Sequence, residues 1–126
     1  MPNEVIATPD APAAVGPYSQ GIRSGDLVFC SGQIPLDPAT GELVGGSVGD
    51  QTKRCLENLG AVLAAAGAGW NDVIKVTAFL TDMDDYAEFN TVYGTFVGDA
   101  PPARAAIGVA SLPKGARIEI ECIART

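Results

Sequence analysis

The sequence contains no histidine, and that absence removes more chemistry than any other feature of its composition. A Ser-His-Asp or Cys-His arrangement cannot be assembled. His-based metal sites and the usual histidine-dependent ribonuclease chemistry are excluded with it. Any catalysis must rest on Arg, Lys, Glu, Asp, Tyr, Ser, Cys and backbone groups. Cysteine is scarce too: Cys30, Cys55 and Cys122 are widely spaced, odd in number and contain no CxxC, which is neither a disulfide framework nor a zinc knuckle. Reduced, buried thiols in a cytosolic protein fit that usage.

Positive charge is also short. Eight Lys and Arg stand against fifteen Asp and Glu, for a net charge of −7 and a pI near 4.3. Nucleic-acid binding relies on Lys and Arg neutralising phosphates, and an acidic surface repels that polyanion. The bases form no run beyond Lys53-Arg54, so RNA or DNA is disfavoured as the main partner. A small anionic substrate remains compatible, because one well-placed arginine can dominate a pocket. No apolar run approaches the roughly 20 residues that span a bilayer. Only three apolar residues lie between Glu4 and Thr8-Pro9-Asp10, too few for a signal peptide. A soluble, cytoplasmic protein is expected.

What is present is apolar and regularly patterned. The 126 residues suit one domain. Hydrophobic residues make up 47% and mean hydropathy is +0.18. Either a large subunit interface hides apolar surface, or abundant Ala and Gly inflate the figure.

Short strands are expected over residues 4–8, Gln20–Ser24 and Leu27–Ser31, the last two joined by a tight turn at Gly25-Asp26. Ala11–Tyr18, with two prolines and Gly16, reads as a loop, as does the glycine-rich Gly41–Gly49, which lacks a GK[ST] ending. Ser47–Ala66 is the clearest helix: Cys55, Leu56, Leu59, Val62, Leu63 and Ala66 recur at helical spacing. Ser47 or Asp50 suits its start and Gly67 its end.

Val73–Thr81 reads as a strand with Ile74, Val76, Ala78 and Leu80 on one face. A second helix is expected from about Asp84 to Val97, with Tyr86, Phe89, Tyr93 and Phe96/Val97 as its apolar stripe and Pro101-Pro102 as its stop. Two final strands, Arg104–Ala110 and Arg117–Ala124, follow. The last alternates Ile118, Ile120, Cys122 and Ala124 against Arg117, Glu119, Glu121 and Ile123. This order predicts an α+β sandwich, a mixed sheet with two helices on one face, whose other face needs a partner or water.

Four stretches, in order, resemble the RidA/YjgF family. They are Ala11-Pro-Ala-Ala-Val-Gly-Pro-Tyr-Ser-Gln20; Ser31-Gly-Gln-Ile-Pro35; Val73-Ile-Lys-Val-Thr-Ala-Phe-Leu80 with Phe89-Asn90; and Pro101-Pro-Ala-Arg104 with Leu112-Pro-Lys-Gly115 and Ile118-Glu-Ile-Glu121. The resemblance spans nearly the whole chain. It implies a chorismate-mutase-like fold and a homotrimer with active sites between subunits. It also implies hydrolysis of 2-imino acids, such as 2-iminopropanoate and 2-iminobutanoate, to 2-oxo acids and ammonia, with no cofactor and no metal. Two other functions compete: the endoribonuclease or translation-inhibitor activity that some family names carry, and a non-catalytic ligand-binding or chaperone-like trimer.

Carried onto this chain, the resemblance implies that Arg104 grips the substrate carboxylate, a task suited to a planar guanidinium making two parallel charge-assisted bonds. Glu119 corresponds to a carboxylate that orients water, and partial burial would raise its pKa for that work. Glu121 shares its alternation face, and only the family spacing favours Glu119. The plainer alternative for Glu119 is a solvated carboxylate paired with Arg117 or Lys75. Tyr18, Ser31, Gly32 and Asn90 match the remaining pocket positions. Tyr18 closes over the ligand and offers its hydroxyl, and Gly32 lets backbone approach closely.

A simple hairpin about Leu112–Gly115 would put Arg104 and Glu119 on one face but offset by roughly 13 Å, so their convergence is implied by resemblance alone. One departure is clear: many relatives carry cysteine two residues after the arginine, where this chain has Ala106. Cys30 and Cys122 read as core residues.

Overall fold

The longest helix begins where a reciprocal cap can form. In the protein's structure, a computed structural model describing residues 2–126, Ser47 Oγ accepts the Asp50 N–H and Asp50 Oδ2 accepts the Ser47 N–H, each at 3.1 Å. Both expected cap residues are thus used, satisfying amide hydrogens that the first turn leaves unpaired. Helix α1 runs Val48–Ala65 and buries Cys55, Leu56, Leu59, Val62 and Leu63, the stripe read from the sequence. Gly67 then adopts φ 76°, the left-handed conformation that glycine takes without steric cost. The last turn of α1 has no basic residue of its own. Arg23 supplies the charge, donating to the Ala66 carbonyl.

The strands are β1 (Glu4–Ile6), β2 (Gly21–Ser24), β3 (Leu27–Gln33), β4 (Val73–Leu80), β5 (Ala103–Gly108) and β6 (Ile118–Arg125), and the second helix, α2, is Tyr86–Val97. They form one six-stranded sheet in the order β1-β2-β3-β6-β4-β5. All neighbours are antiparallel except β4 and β5, which are parallel. The α2 crossover makes this possible, because parallel neighbours need a connection long enough to return the chain to the same end.

Three expectations are corrected. The last two strands do not form a hairpin, since β4 lies between β5 and β6. The β4–β6 register shifts between Val73 and Lys75, so Val73 is buried while Ile74 is 46% exposed; a bulge turns Ile74 out of the face that Val76, Ala78 and Leu80 keep. Helix α2 is entered through a 3₁₀ turn at Met83–Asp85 and ends at Gly98, φ 71°, before Pro101 is reached.

Both helices cover one sheet face. The core between them holds Val28, Val76, Ala78, Leu80, Ile118, Ile120, Leu59, Leu63 and Phe89, with Cys30, Cys55 and Cys122 buried among them. Cys30 and Cys122 face each other across β3 and β6, as core residues, in line with their reading from the sequence. The other face carries an apolar row in register across four strands, Val5, Ile22, Phe29 and Ile123, of which Val5 is 63% and Phe29 41% exposed. Among the described residues no helix is long and apolar enough to cross a membrane.

Candidate functional site

Glu119 lies on β6 opposite Phe79 of β4, on the helix-free face of the sheet. Beside it the β3–β6 register is irregular between Cys30 and Gln33, and Gly32 falls in that irregularity. A Cβ at Gly32 would run into Glu119 Oε2 and stand 3.0 Å from Cδ and 3.2 Å from Cγ, closer than nearly all packed carbons, so the missing side chain is what admits the carboxylate. Glu119 and Gly32 share a pocket of about 290 Å³ with Tyr18, Pro12, Val15 and Lys114. Burial, and then the neighbouring Glu121 charge, raise the Glu119 pKa above the ordinary 4.5. The alternative of a salt-bridged Glu119 does not hold. Arg117 instead grips Asp85 through both carboxylate oxygens at 3.0 Å, and among the described residues Glu119 forms no ion pair.

The loop wall of this pocket is pinned from beneath. The buried Gln20 side chain accepts the Thr8 N–H at 2.7 Å and donates to the carbonyls of Thr8 at 3.0 Å and Pro12 at 2.8 Å. Ser31 Oγ donates to the Ser19 carbonyl at 2.5 Å, and its N–H donates to the Gln20 carbonyl at 2.9 Å. The hydroxyl proton of Ser31, one of the expected pocket residues, is therefore spent holding the segment that carries Tyr18. Tyr18 itself is 48% exposed. Lys114, given no role by the sequence reading, lines the pocket from a left-handed turn conformation, φ 59°, with Nζ donating to the Gly41 carbonyl at 3.3 Å. Its place in the Leu112–Gly115 motif was the available signal.

Arg104 belongs to a second cluster. It pairs with Val76 in the parallel β4–β5 ladder and so points to the helix side. Its guanidinium carbon stands 4.8 Å from the Tyr93 ring centre, 5.1 Å from Phe89 and 5.6 Å from Tyr86, within range for cation–π attraction. Nη2 donates to the Tyr86 hydroxyl at 2.8 Å. Among the described residues no carboxylate pairs with it. A cation held by rings rather than by a carboxylate keeps its charge unpaired. Asn90, half-buried on α2, follows Phe89 and sits one turn beyond Tyr86. Ala106 pairs with Ala78 and so lies on the Arg104 side, with no thiol there. Tyr86, Phe89 and Tyr93 were legible only as a helix stripe; the phenol oxygens within it were the unread signal.

The two clusters do not meet within one chain. Arg104 and Glu119 face opposite sides of the sheet, separated by β4, which replaces the shared face that a hairpin would have given. Two strand spacings and three residues along the strand put their backbones on the order of 14 Å apart. Among the described residues no group of three or more Cys, Asp or Glu side chains is disposed to hold a metal ion.

Comparisons with known proteins agree over nearly the whole chain. The family model described as Endoribonuclease L-PSP matches residues 8–126. A RutC family protein of Pyrococcus horikoshii is 54% identical over 96% of both chains. The 2-iminobutanoate/2-iminopropanoate deaminase of Mus musculus is 49% identical over 96% of this chain and 90% of its own. Among solved structures, RidA from an Antarctic Psychrobacter superposes with a TM-score of 0.94 at 45% identity, covering 98% of this chain and 99% of its own. E. coli TdcF with bound serine gives 0.93 at 45% identity, covering 98% of each. The six-stranded mixed sheet with its two helices is thus the α+β, chorismate-mutase-like fold expected from the sequence. With half its residues identical to those of such relatives and its fold superposing on theirs end to end, the chain belongs to the RidA/YjgF family, also described as Endoribonuclease L-PSP and RutC.

Proposed function

We propose that the protein hydrolyses small 2-imino acids, such as 2-iminobutanoate and 2-iminopropanoate, to 2-oxo acids and ammonia. The observation that carries this reading is Glu119: a half-buried carboxylate of raised pKa, free of any cationic partner among the described residues, at the wall of an open pocket. An imine carbon is already electrophilic, so hydrolysis chiefly needs an oriented water and a base for its proton. The deaminases of Mus musculus and Bos taurus, 49% and 46% identical to this chain, support the choice of substrate.

In the proposed reaction Arg104 holds the carboxylate and fixes the plane of the C=N bond. Glu119 takes a proton from water as its oxygen attacks C2, giving a tetrahedral carbinolamine. The same carboxyl returns that proton to nitrogen to complete the amino group, then carries the hydroxyl proton to it as well, so that the C–N bond breaks, ammonia leaves and the 2-oxo acid forms. Tyr18 closes the pocket mouth, and Asn90 flanks the arginine. No cofactor enters these steps.

Because Arg104 and Glu119 face opposite sides of the sheet, the reading requires two copies to complete one site. The apolar row of Val5, Ile22, Phe29 and Ile123 offers a surface for that association, and a homotrimer with sites between subunits is the proposed assembly. Ribonuclease activity is disfavoured: Arg54, Arg117 and Arg125 are each paired with a carboxylate, and the net charge is −7. Coupling the protein to threonine dehydratase with semicarbazide as a trap tests the activity. Faster loss of trappable imine than in buffer is expected, and an unchanged rate would leave a binding protein.

A further inference from the structure

We infer that Tyr86 is a positioning residue for Arg104, turning a mobile surface guanidinium into a fixed anion-reading fork; this rests on the proposed role of Arg104. Arginine has only donors, so the 2.8 Å contact between Nη2 and the Tyr86 hydroxyl has one possible polarity: the phenol oxygen accepts. Its own hydrogen must then point away from the cation. The phenol hydrogen and the free guanidinium edge are thus both donors available to the outside, which suits an anion better than a cation.

The rings add a second constraint. Tyr86, Phe89 and Tyr93 all stand within 5.6 Å of the guanidinium carbon. Apolar rings limit swinging of the side chain, but they do not fix rotation of the fork in its own plane. A hydrogen bond to one nitrogen does. With Nη2 tied to Tyr86, the remaining donor edge is presented in one orientation, and bidentate capture of a carboxylate no longer has to freeze that rotation. Tyr86 is 38% exposed and opens α2, so its hydroxyl serves no buried structural bond, and Tyr86→Phe keeps the ring while deleting the acceptor.

The test is a double-mutant cycle read as affinity for 2-oxobutanoate, the stable product, titrated by NMR chemical shift. The four proteins are the parent, Tyr86→Phe, Arg104→Lys and the double variant. Tyr86→Phe should weaken binding threefold or more with an unchanged melting temperature. In the Arg104→Lys background, which has no fork to orient, the same substitution should change affinity by less than twofold. A loss below threefold in the single variant, or an equal loss in both backgrounds, overturns the positioning role and leaves the deaminase reading intact. A parent protein that does not bind 2-oxobutanoate at all overturns both.

Discussion

Glu119 occupies the space that a side chain at residue 32 would fill. Its Cδ and Cγ lie 3.0 and 3.2 Å from where a Cβ at Gly32 would stand, so the carboxylate and the bare backbone are fitted to each other. The obstructing group is the end of a flexible side chain, and an added methyl is expected to displace it without unfolding the sheet. Gly32→Ala should therefore reduce imine turnover at least tenfold while leaving the circular dichroism spectrum intact. A variant with parental kcat/KM would show that the Glu119 position is immaterial.

The raised pKa of Glu119 links activity to stability. Unfolded, the group titrates near 4.5; folded, burial and Glu121 move it higher. The folded state therefore holds the proton more tightly. The stability contributed by protonated Glu119 is present below pH 4.5 and is lost as pH rises through the folded pKa. At neutral pH its charge opposes folding. Glu119→Gln should accordingly raise the melting temperature at neutral pH, with the difference closing in acid, and should abolish turnover. Glu121→Gln, which removes the second cause of the shift, should move the acid limb of kcat/KM to lower pH. An unmoved limb contradicts the assignment of Glu119 as base.

Tyr93 is 5% exposed, and among the described residues its hydroxyl has no hydrogen-bond partner. Burial raises its pKa and the Arg104 charge partly opposes that. An unsatisfied buried hydroxyl costs about 1 kcal/mol or more. Tyr93→Phe keeps the ring over Arg104 and should raise the melting temperature in calorimetry. A fall would reveal a partner that the hydroxyl gains elsewhere.

The three thiols are all buried and should be silent in the native protein. Burial, and secondarily the Glu119 charge, raise Cys55 well above the ordinary 9.0. The neighbouring Cys30 thiol across the β3–β6 ladder, together with burial, raises Cys122, while the Cys122 thiol lowers Cys30. Iodoacetamide should label the unfolded chain fully and the folded chain hardly at all, with Cys30 the first site in mass spectra. Rapid native labelling of Cys55 would contradict the packing.

The sequence made the helix stripe of α1 and the alternation of β6 legible because each is a local period set by burial on one side. The place of β5 was not visible in the same way. Its parallel pairing with β4 is a long-range choice, although a strand, a helix and a strand in succession is the pattern that permits it. The Ile74 bulge escaped for a related reason: one extra residue shifts a face without changing composition. Of the candidate site, Tyr18, Gly32 and Glu119 do share one pocket, and the motifs pointed to each. Arg104 was legible as a residue but not as a location, because the face it occupies is decided by its pairing with Val76. The spending of the Ser31 hydroxyl on Ser19 is a tertiary bond that no local pattern announces.

The separation of Arg104 from Glu119 across the sheet is most directly tested by mixing dead subunits. Arg104→Ala and Glu119→Gln chains, each inactive alone, would be unfolded together in equal amounts, refolded and assayed by imine trapping. If neighbouring copies supply the two residues, random trimers should regain about a quarter of parental activity, since one intact site forms in each mixed ring. If the mixture is no more active than its two components, the site is not shared between subunits, and an arginine and a glutamate on opposite faces of the sheet cannot be its two halves.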